Sequence, residues 1–367
     1  MDIPPPDSPS CSASPAAPFF TLALSCCNVA PYLGECFGSI LSQPFGDWEC
    51  VVWVEESDDG TLEIARGFAA RDSRIRVFSG PRTGSCSVSR NKGIELACGE
   101  YLLFLDGDDT LAPDALRRIR DRIAARPGAD LYPGSIVLRH DAPGHDDFVR
   151  DNFPSDPPAE LTGPEATLLI HRHRRNSIYA QVMSVAYRRG FLLDAALEFV
   201  PGLLRQDCEF YPRAIYLARR VVPLRETFYI YRRHPGSAST SAGTIDHFDR
   251  HWATVLRVLL AFHARVSRDP AFDPRVADCW RAEWLRWLFV WFLPNRVHAI
   301  PRAKRLASLS LAFPDGFSDL EALAAGASRP KRSACRWVER FVRHPFLRPA
   351  AEYFFALYFA LSKLRHR

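Results

Sequence analysis

Three carboxylates fall within four residues, Asp106, Asp108 and Asp109 around Gly107, directly after the apolar run Tyr101–Leu105. Negative charges this close repel one another unless something positive sits among them. Aspartate oxygens are hard ligands suited to Mg2+ or Mn2+, and such an ion would neutralise a diphosphate in turn. Gly107, lacking a side chain, leaves room for a bulky phosphate to approach the backbone. The same four residues also suit a strand closed by an Asp-Gly turn and followed by helix-capping acids. The tetrapeptide alone leaves both readings open.

The surrounding pattern specifies what would hold these acids in place. "FFTLALSCCN" from Phe19 is an apolar run ending in small polar residues, and "APYLGECFGSILSQ" then sets Leu33, Phe37, Ile40 and Leu41 at helical spacing. The alternation continues with "WECVVWVEES" (strand), "DGTLEIARGFAAR" (helix), "RIRVFSG" (strand), "SVSRNKGIELAC" (helix), "EYLLFLD" (strand) and "PDALRRIRDRIAAR", a helix opened by Pro113 and Asp114. Such alternation predicts an α/β fold, a Rossmann-like and mostly parallel sheet with helices on both faces. Ligands bind such sheets beyond the carboxyl ends of the strands, and here those ends carry "SCCN", "EESDD" and "DGDD". Residues 128–250 are less regular. "ADLYPGSIVLR", "AQVMSVAYRR" and "VVPLRETFYIYRRH" are predicted strands around a Pro/Asp-rich loop at 141–158, completing the same domain. From about residue 246 the chain turns helical.

Composition narrows the function classes. A 367-residue chain with 47% hydrophobic and 24% charged residues can bury a full core. The net charge of +5 is carried by residues 328–367, where ten Lys/Arg face two Glu, leaving the remainder at about −3. That distribution argues against nucleic acid as a partner. The ten cysteines form no CxxC pair and no zinc-like Cys/His spacing, and are expected to be free thiols in a reducing cytoplasm. Residues 1–18 have no basic stretch followed by an apolar one and read as a disordered Pro/Ser/Ala leader. The longest apolar runs, 287–293 and 353–361, fall well short of the roughly 20 residues of a membrane-spanning helix.

Two segments, "FTLALSCCNVAPYLGECFGSILSQPFGDWECVVWVEESDDGT" and "SVSRNKGIELACGEYLLFLDGDD", resemble the family 2 glycosyltransferases, closely over 19–126 and more thinly to about 240. The resemblance implies a GT-A nucleotide-sugar-binding half at 19–126, an acceptor-binding half at 127–245, and a helical C-terminal region at 246–367. It implies a nucleotide-diphosphosugar donor, a UDP-sugar by preference, bound with Mn2+ or Mg2+, and a glycan or lipid-linked acceptor in surface polysaccharide or glycolipid assembly. On the donor side it implies Ser25, Asn28, Glu56, Asp59, Arg90, Asp106 and Gly107, with Glu56 accepting from the nucleobase. Asp108 is the implied metal ligand, joined by His234. Asp207 is the implied general base of a single, inverting displacement, with Glu209 its nearest rival. Gln206, Arg232 and Arg233 are implied on the acceptor or leaving-group side.

Two departures stand out: "VEES" replaces the family's longer "VDDGS", and Gln206 replaces a glutamate beside the base. They keep open a second reading, a nucleotide-sugar-binding or scaffold protein without turnover. A nucleotidyltransferase is the third, yet "SCCNVAPYL" offers neither the Gly-rich loop nor the lysine it would need. The tail sets its positive charge beside Trp337, Phe341 and Phe346, a composition suited to peripheral contact with an anionic membrane from the cytoplasmic side. The stripe Trp280, Trp284, Trp287 and Trp291 suits a helix core equally well.

Overall fold

The computed structural model describes residues 17–141, 144, 146–173, 181–234, 243–280 and 284. The predicted leader, apart from Ala17 and Pro18, and the basic tail lie outside these residues, as do Trp287 and Trp291. Two compact units are present, Met1–Ser237 and Ala238–Arg367.

In the first unit, four strands follow the alternating pattern: β1 (Phe20–Cys26), β2 (Trp48–Glu55), β3 (Ile75–Gly80) and β4 (Tyr101–Asp106). They are joined by α1 (Ala30–Leu41), α2 (Thr61–Ala69) and α3 (Cys86–Leu96). Every residue of β1 is buried, as a strand between two parallel neighbours requires. Downstream come β5 (Thr110–Leu111), α4 (Ala115–Ala125), β6 (Leu131–Pro133), β7 (Ser135–His140), β8 (Phe148–Asp151), α5 (Gly163–His173), β9 (Val185–Arg188), α6 (Arg189–Asp194), α7 (Asp207–Leu217) and β10 (Thr227–Arg233).

The main sheet has the order β3-β2-β1-β4-β9-β6. β1 to β4 are mutually parallel, and β9 is antiparallel to both its neighbours. The chain steps outward from β1 to β3 and then crosses back to β4. Right-handed crossovers put α1 and α2 on one face and α3 on the other. Phe37 of α1 accordingly stacks on Phe68 of α2, ring centroids 4.4 Å apart, while α3 lies so close to β1 that a Cβ on Gly93 would come within 2.6 Å of the Ala23 Cβ. The reversal of strand order opens a crevice at the carboxyl ends of β1 and β4, where Ser25 is in register with Asp106.

A second sheet, β5-β10-β7-β8, fixes the other wall. Its antiparallel pair Ile230↔Thr110 and Tyr229↔Leu111 returns the end of β10 to the chain just beyond the acidic cluster. Two differences from the sequence reading stem from this sheet. The run "ADLYPGSIVLR" is two strands, because the chain changes sheets at Gly134, where a Cβ would meet the Phe228 ring at 2.5 Å and the Glu226 carbonyl oxygen at 2.7 Å. The loop predicted over 141–158 contains β8, an edge strand with Phe148 and Val149 exposed. "AQVMSVAYRR" yields only the four-residue β9 after a single 3-10 turn at Val182–Ser184.

In the second unit, α8 (Gly243–Val266) buries Val255, Leu256, Leu259 and Phe262. Trp280 and Trp284 stack at 5.9 Å and are buried, so these two members of the tryptophan stripe are core residues. Among the described residues seven cysteines are free, as expected, whereas Cys98 is disulfide-bonded, against the expectation. Among the described residues no helix is long and apolar enough to cross a membrane.

Glycine positions give a direct test of the close packing. A Cβ on Gly99, between α3 and β4, would meet the Thr21 nitrogen at 2.5 Å and the Phe20 carbonyl carbon at 2.6 Å, backbone atoms that cannot rotate away. Gly99→Ala is expected to cost about 3 kcal/mol in urea unfolding, the upper range for overpacking. Gly34→Ala, in α1 with open space around it, is expected to add about 0.5 to 1 kcal/mol of stability. Equal midpoints for the two variants would contradict this packing.

Candidate active site

The acids at the end of β4 each have their own partner. Asp106 receives Nη2 of Arg90 on both carboxylate oxygens, at 3.2 and 3.1 Å. Arg90, on α3 and 2% exposed, turns its other terminal nitrogen to Asp207, Nη1 to Oδ1 at 2.5 Å. One buried guanidinium therefore joins a carboxylate from β4 to one from the start of α7. Burying it unpaired would cost several kcal/mol. Burial pushes the Asp207 carboxyl above the usual range, with Arg90 opposing the shift.

Asp108 accepts from, or donates to, His234, Oδ2 to Nε2 at 3.0 Å. The other ring nitrogen, Nδ1, lies 2.9 Å from the Tyr32 hydroxyl, and the two rings sit 4.2 Å apart. Tyr32 thereby fixes the ring plane and can serve either tautomer. Burial raises the Asp108 carboxyl and the Asp106 charge adds to it, with the His234 hydrogen bond working the other way. Asp109, 1% exposed, accepts from the Tyr229 hydroxyl at 2.5 Å and from the Arg232 N–H at 2.7 Å. Burial, then Asp108 and Asp106, push it well above the ordinary carboxylate range. Tyr229 also accepts from the Asp106 N–H at 3.2 Å.

Asp108 and His234 offer one carboxylate and one imidazole nitrogen to a divalent cation. That donor set fits Mg2+ or Mn2+, which typically take one or two protein ligands and fill the rest from phosphates and water. Among the described residues no group of three or more His, Cys, Asp or Glu is arranged as a closed metal cage. Residues 235–240, which follow Arg232, Arg233 and His234, lie outside the described residues.

Other sequence-predicted residues take quieter positions. Gly107 is glycine because a Cβ would come within 2.8 Å of Val29 Cγ2 and 2.9 Å of Cys26 Sγ, and its N–H donates to the Ser25 carbonyl at 2.9 Å. Its bare side faces β1, not an open crevice. Asn28, at φ 51°, accepts from the Asp58 N–H at 2.9 Å, and its own N–H donates to the Ser57 hydroxyl at 3.1 Å. Asp59 accepts from the N–H groups of Ala30 (2.9 Å) and Thr61 (3.1 Å) and from the Thr61 hydroxyl (2.6 Å). Burial works against that carboxylate, but these bonds together hold it below its usual range. Asn28 and Asp59 thus tie the turn after β1 to the loop after β2. Glu56 is exposed at the crevice edge, its N–H donating to Gly80 and its carbonyl accepting from Arg82. Arg232 pairs with Glu35 and lies over the Tyr32 ring at 5.2 Å, and Arg233 ends β10 in register with His140. Gln206 is buried beside Arg90. Glu209, the rival to Asp207, is fully buried, accepts from the Val200 N–H at 3.0 Å and pairs with Arg213.

Sequence reasoning missed Tyr32, Tyr229 and Glu55. Glu55 is 2% exposed and accepts from the Thr83 N–H at 2.9 Å and the Thr83 hydroxyl at 2.5 Å. None carries a local signal, since each acts on residues at least 28 positions away.

The family description "Glycosyl transferase family 2" matches residues 21–187. EpsJ of Bacillus subtilis, described as an uncharacterized glycosyltransferase, is 31% identical over 252 residues, covering 67% of this chain and 70% of its own. The chain belongs to glycosyltransferase family 2. A second B. subtilis relative, the putative glycosyltransferase EpsH, is 28% identical over 60% of this chain and 62% of its own. Among solved structures, residues 1–349 of S. aureus TarS in complex with UDP-GlcNAc align with a TM-score of 0.67 at 20% identity, over 88% of this chain and 87% of that one. The glycosyltransferase has the GT-A fold expected from its sequence.

The Tyr229 hydroxyl serves two acids of this glycosyltransferase at once. Tyr229→Phe leaves Asp109 with the Arg232 N–H alone and the Asp106 N–H without its acceptor, a loss of about 1 to 3 kcal/mol. The hydroxyl lowers the already raised Asp109 pKa, so its loss raises that pKa further. The deficit is therefore greatest at high pH and shrinks on acidification as Asp109 is protonated. Thermal unfolding across pH checks this, and a deficit that grows on acidification would contradict it.

Proposed function

We propose that this glycosyltransferase moves a sugar from a nucleotide-diphosphosugar to a hydroxyl of a glycan or lipid-linked acceptor in surface polysaccharide or glycolipid assembly, by one inverting displacement. The observation that carries the reading is the Arg90 guanidinium held between Asp106 and Asp207. It holds a carboxylate of the acceptor half within one side chain of the donor acids, as a single displacement requires. The UDP-GlcNAc bound by TarS makes a UDP-sugar the first donor to test. The basic, aromatic tail is in keeping with an acceptor carried at an anionic membrane surface.

In this reading Asp207 accepts the proton of the acceptor hydroxyl as the oxygen attacks the anomeric carbon. Arg90 keeps it ionised and aimed, while burial makes it a stronger base than a solvated aspartate. Asp108 and His234 would hold a divalent cation, which supplies neutralising charge to the departing diphosphate. Asp106 is left to orient donor hydroxyls. Glu209 is committed to Val200 and Arg213 and wholly buried, which leaves Asp207, its side chain 22% exposed, as the carboxylate on the acceptor side.

Metal-stimulated UDP release from a panel of UDP-sugars with acceptor tests the proposal. Asp207→Asn is expected to lower kcat by about 10^2- to 10^4-fold with little change in donor KM, and Asp108→Ala to abolish the stimulation by Mn2+. Since the Asp207 pKa is raised and the base must be ionised, kcat falls with falling pH at a point above the ordinary aspartate value of about 3.9. A chain that gains heat resistance from the UDP-sugar yet releases no UDP would be a binding protein, and the proposal would be wrong.

A further inference from the structure

Gln206 immediately precedes Asp207 and is 5% exposed. In the orientation that satisfies both ends of its amide, the nitrogen donates to the carbonyl oxygens of Leu203 at 2.6 Å and Leu204 at 3.0 Å, and the oxygen accepts from Arg90 Nη1 at 3.1 Å. That same Nη1 donates to Asp207 at 2.5 Å. The approach to α7 is held by α3 at two further points. The Ser85 hydroxyl donates to the Leu203 carbonyl at 2.6 Å, and the Asn91 amide bonds both the carbonyl (2.9 Å) and the N–H (2.8 Å) of Phe199.

We infer that Gln206 is a positioning residue for Asp207 that works only as an amide. It must donate to the loop carbonyls and accept from Arg90 at once, and only then are the loop and the guanidinium fixed relative to Asp207. The inference rests on the reading of Asp207 as the base. A glutamate has the same length, but its carboxylate has no hydrogen to donate. Its oxygen would face two carbonyl oxygens, and it would compete with Asp207 for Nη1. Once protonated, the glutamate is again a donor. The charged and titratable groups around this point are Arg90 and Cys86 from α3, Asp106 from β4, Tyr187 from β9, Asp207 and Glu209 from α7, Tyr229 from β10, and Arg205 on the loop. Burial and the two carbonyls favour the protonated form, Asp207 and Asp106 add to that, and Arg90 and Arg205 oppose it. A glutamate here thus holds its proton to higher pH than a solvated one, and the protein loses the fit as pH rises.

The test compares full-length Gln206→Glu and Gln206→Met with the wild type between about pH 5.5 and 8.5, reading kcat, donor KM and thermal unfolding. For Gln206→Glu, kcat is expected about tenfold or more below wild type at the alkaline end, closing to within about threefold at the acid end. Its Tm deficit grows with pH, and its donor KM stays within about twofold. Gln206→Met, which can neither donate nor titrate, is expected to show a kcat and Tm deficit that is flat with pH. A Gln206→Glu variant that tracks wild type at every pH, or a Gln206→Met variant with full kcat, overturns the inference. The thermal readout needs no turnover. If wild type transfers no sugar while the Gln206→Glu deficit grows with pH, the base reading fails and the amide requirement stands. A flat Gln206→Glu deficit overturns the requirement whatever the turnover.

Discussion

The site depends on one buried cation. Arg90, on α3, pairs with Asp106 at the end of β4 and with Asp207 at the start of α7, and its side chain is almost wholly removed from water. A guanidinium there is tolerable only while carboxylates face it from both sides. α3 must therefore be fixed relative to β4 and to the loop before α7. The sequence meets both demands with small and polar residues: Gly93 lets α3 lie against β1, and Ser85 and Asn91 bond the 199–207 segment. Polarity that would be wasted on an ordinary sheet-packing helix serves here to fix α3 to the 199–207 segment.

The acidic cluster shows how the fold tolerates concentrated negative charge before any ligand arrives. Arg90 answers Asp106, His234 answers Asp108, and the Tyr229 hydroxyl with the Arg232 N–H answers Asp109. The answers come from two stretches of chain, α3 and the end of β10 with His234 directly after it, the latter returned to the acids by the β5–β10 pairing. The sequence suggested that a metal must supply the balancing charge. The protein itself supplies much of it.

What could be read in the sequence followed from periodicity. Strands β1 to β4 and helices α1 to α4 lie where alternating apolar runs predict them, because each is a local pattern buried on a predictable face. The change of sheet at Gly134 and the short strands β5 and β8 were not legible, since their identity depends on partners far along the chain. The same division runs through the site. Asp106, Asp108 and Arg90 were visible from local motifs, whereas the Tyr32–His234 contact spans 202 positions and the Tyr229–Asp109 bond 120. Gly107 was singled out as leaving room for a phosphate, but its missing side chain faces Val29 and Cys26.

The most direct test of the central claim is a pair of double-mutant cycles on unfolding free energy at neutral pH, Arg90→Gln with Asp207→Asn and Arg90→Gln with Asp106→Asn. If one guanidinium binds both acids, each double variant is less destabilised than the sum of its singles by about 1 kcal/mol or more. Additivity within about 0.5 kcal/mol in either cycle would mean that Arg90 does not bridge the two carboxylates, and the account of the site built on it would fail.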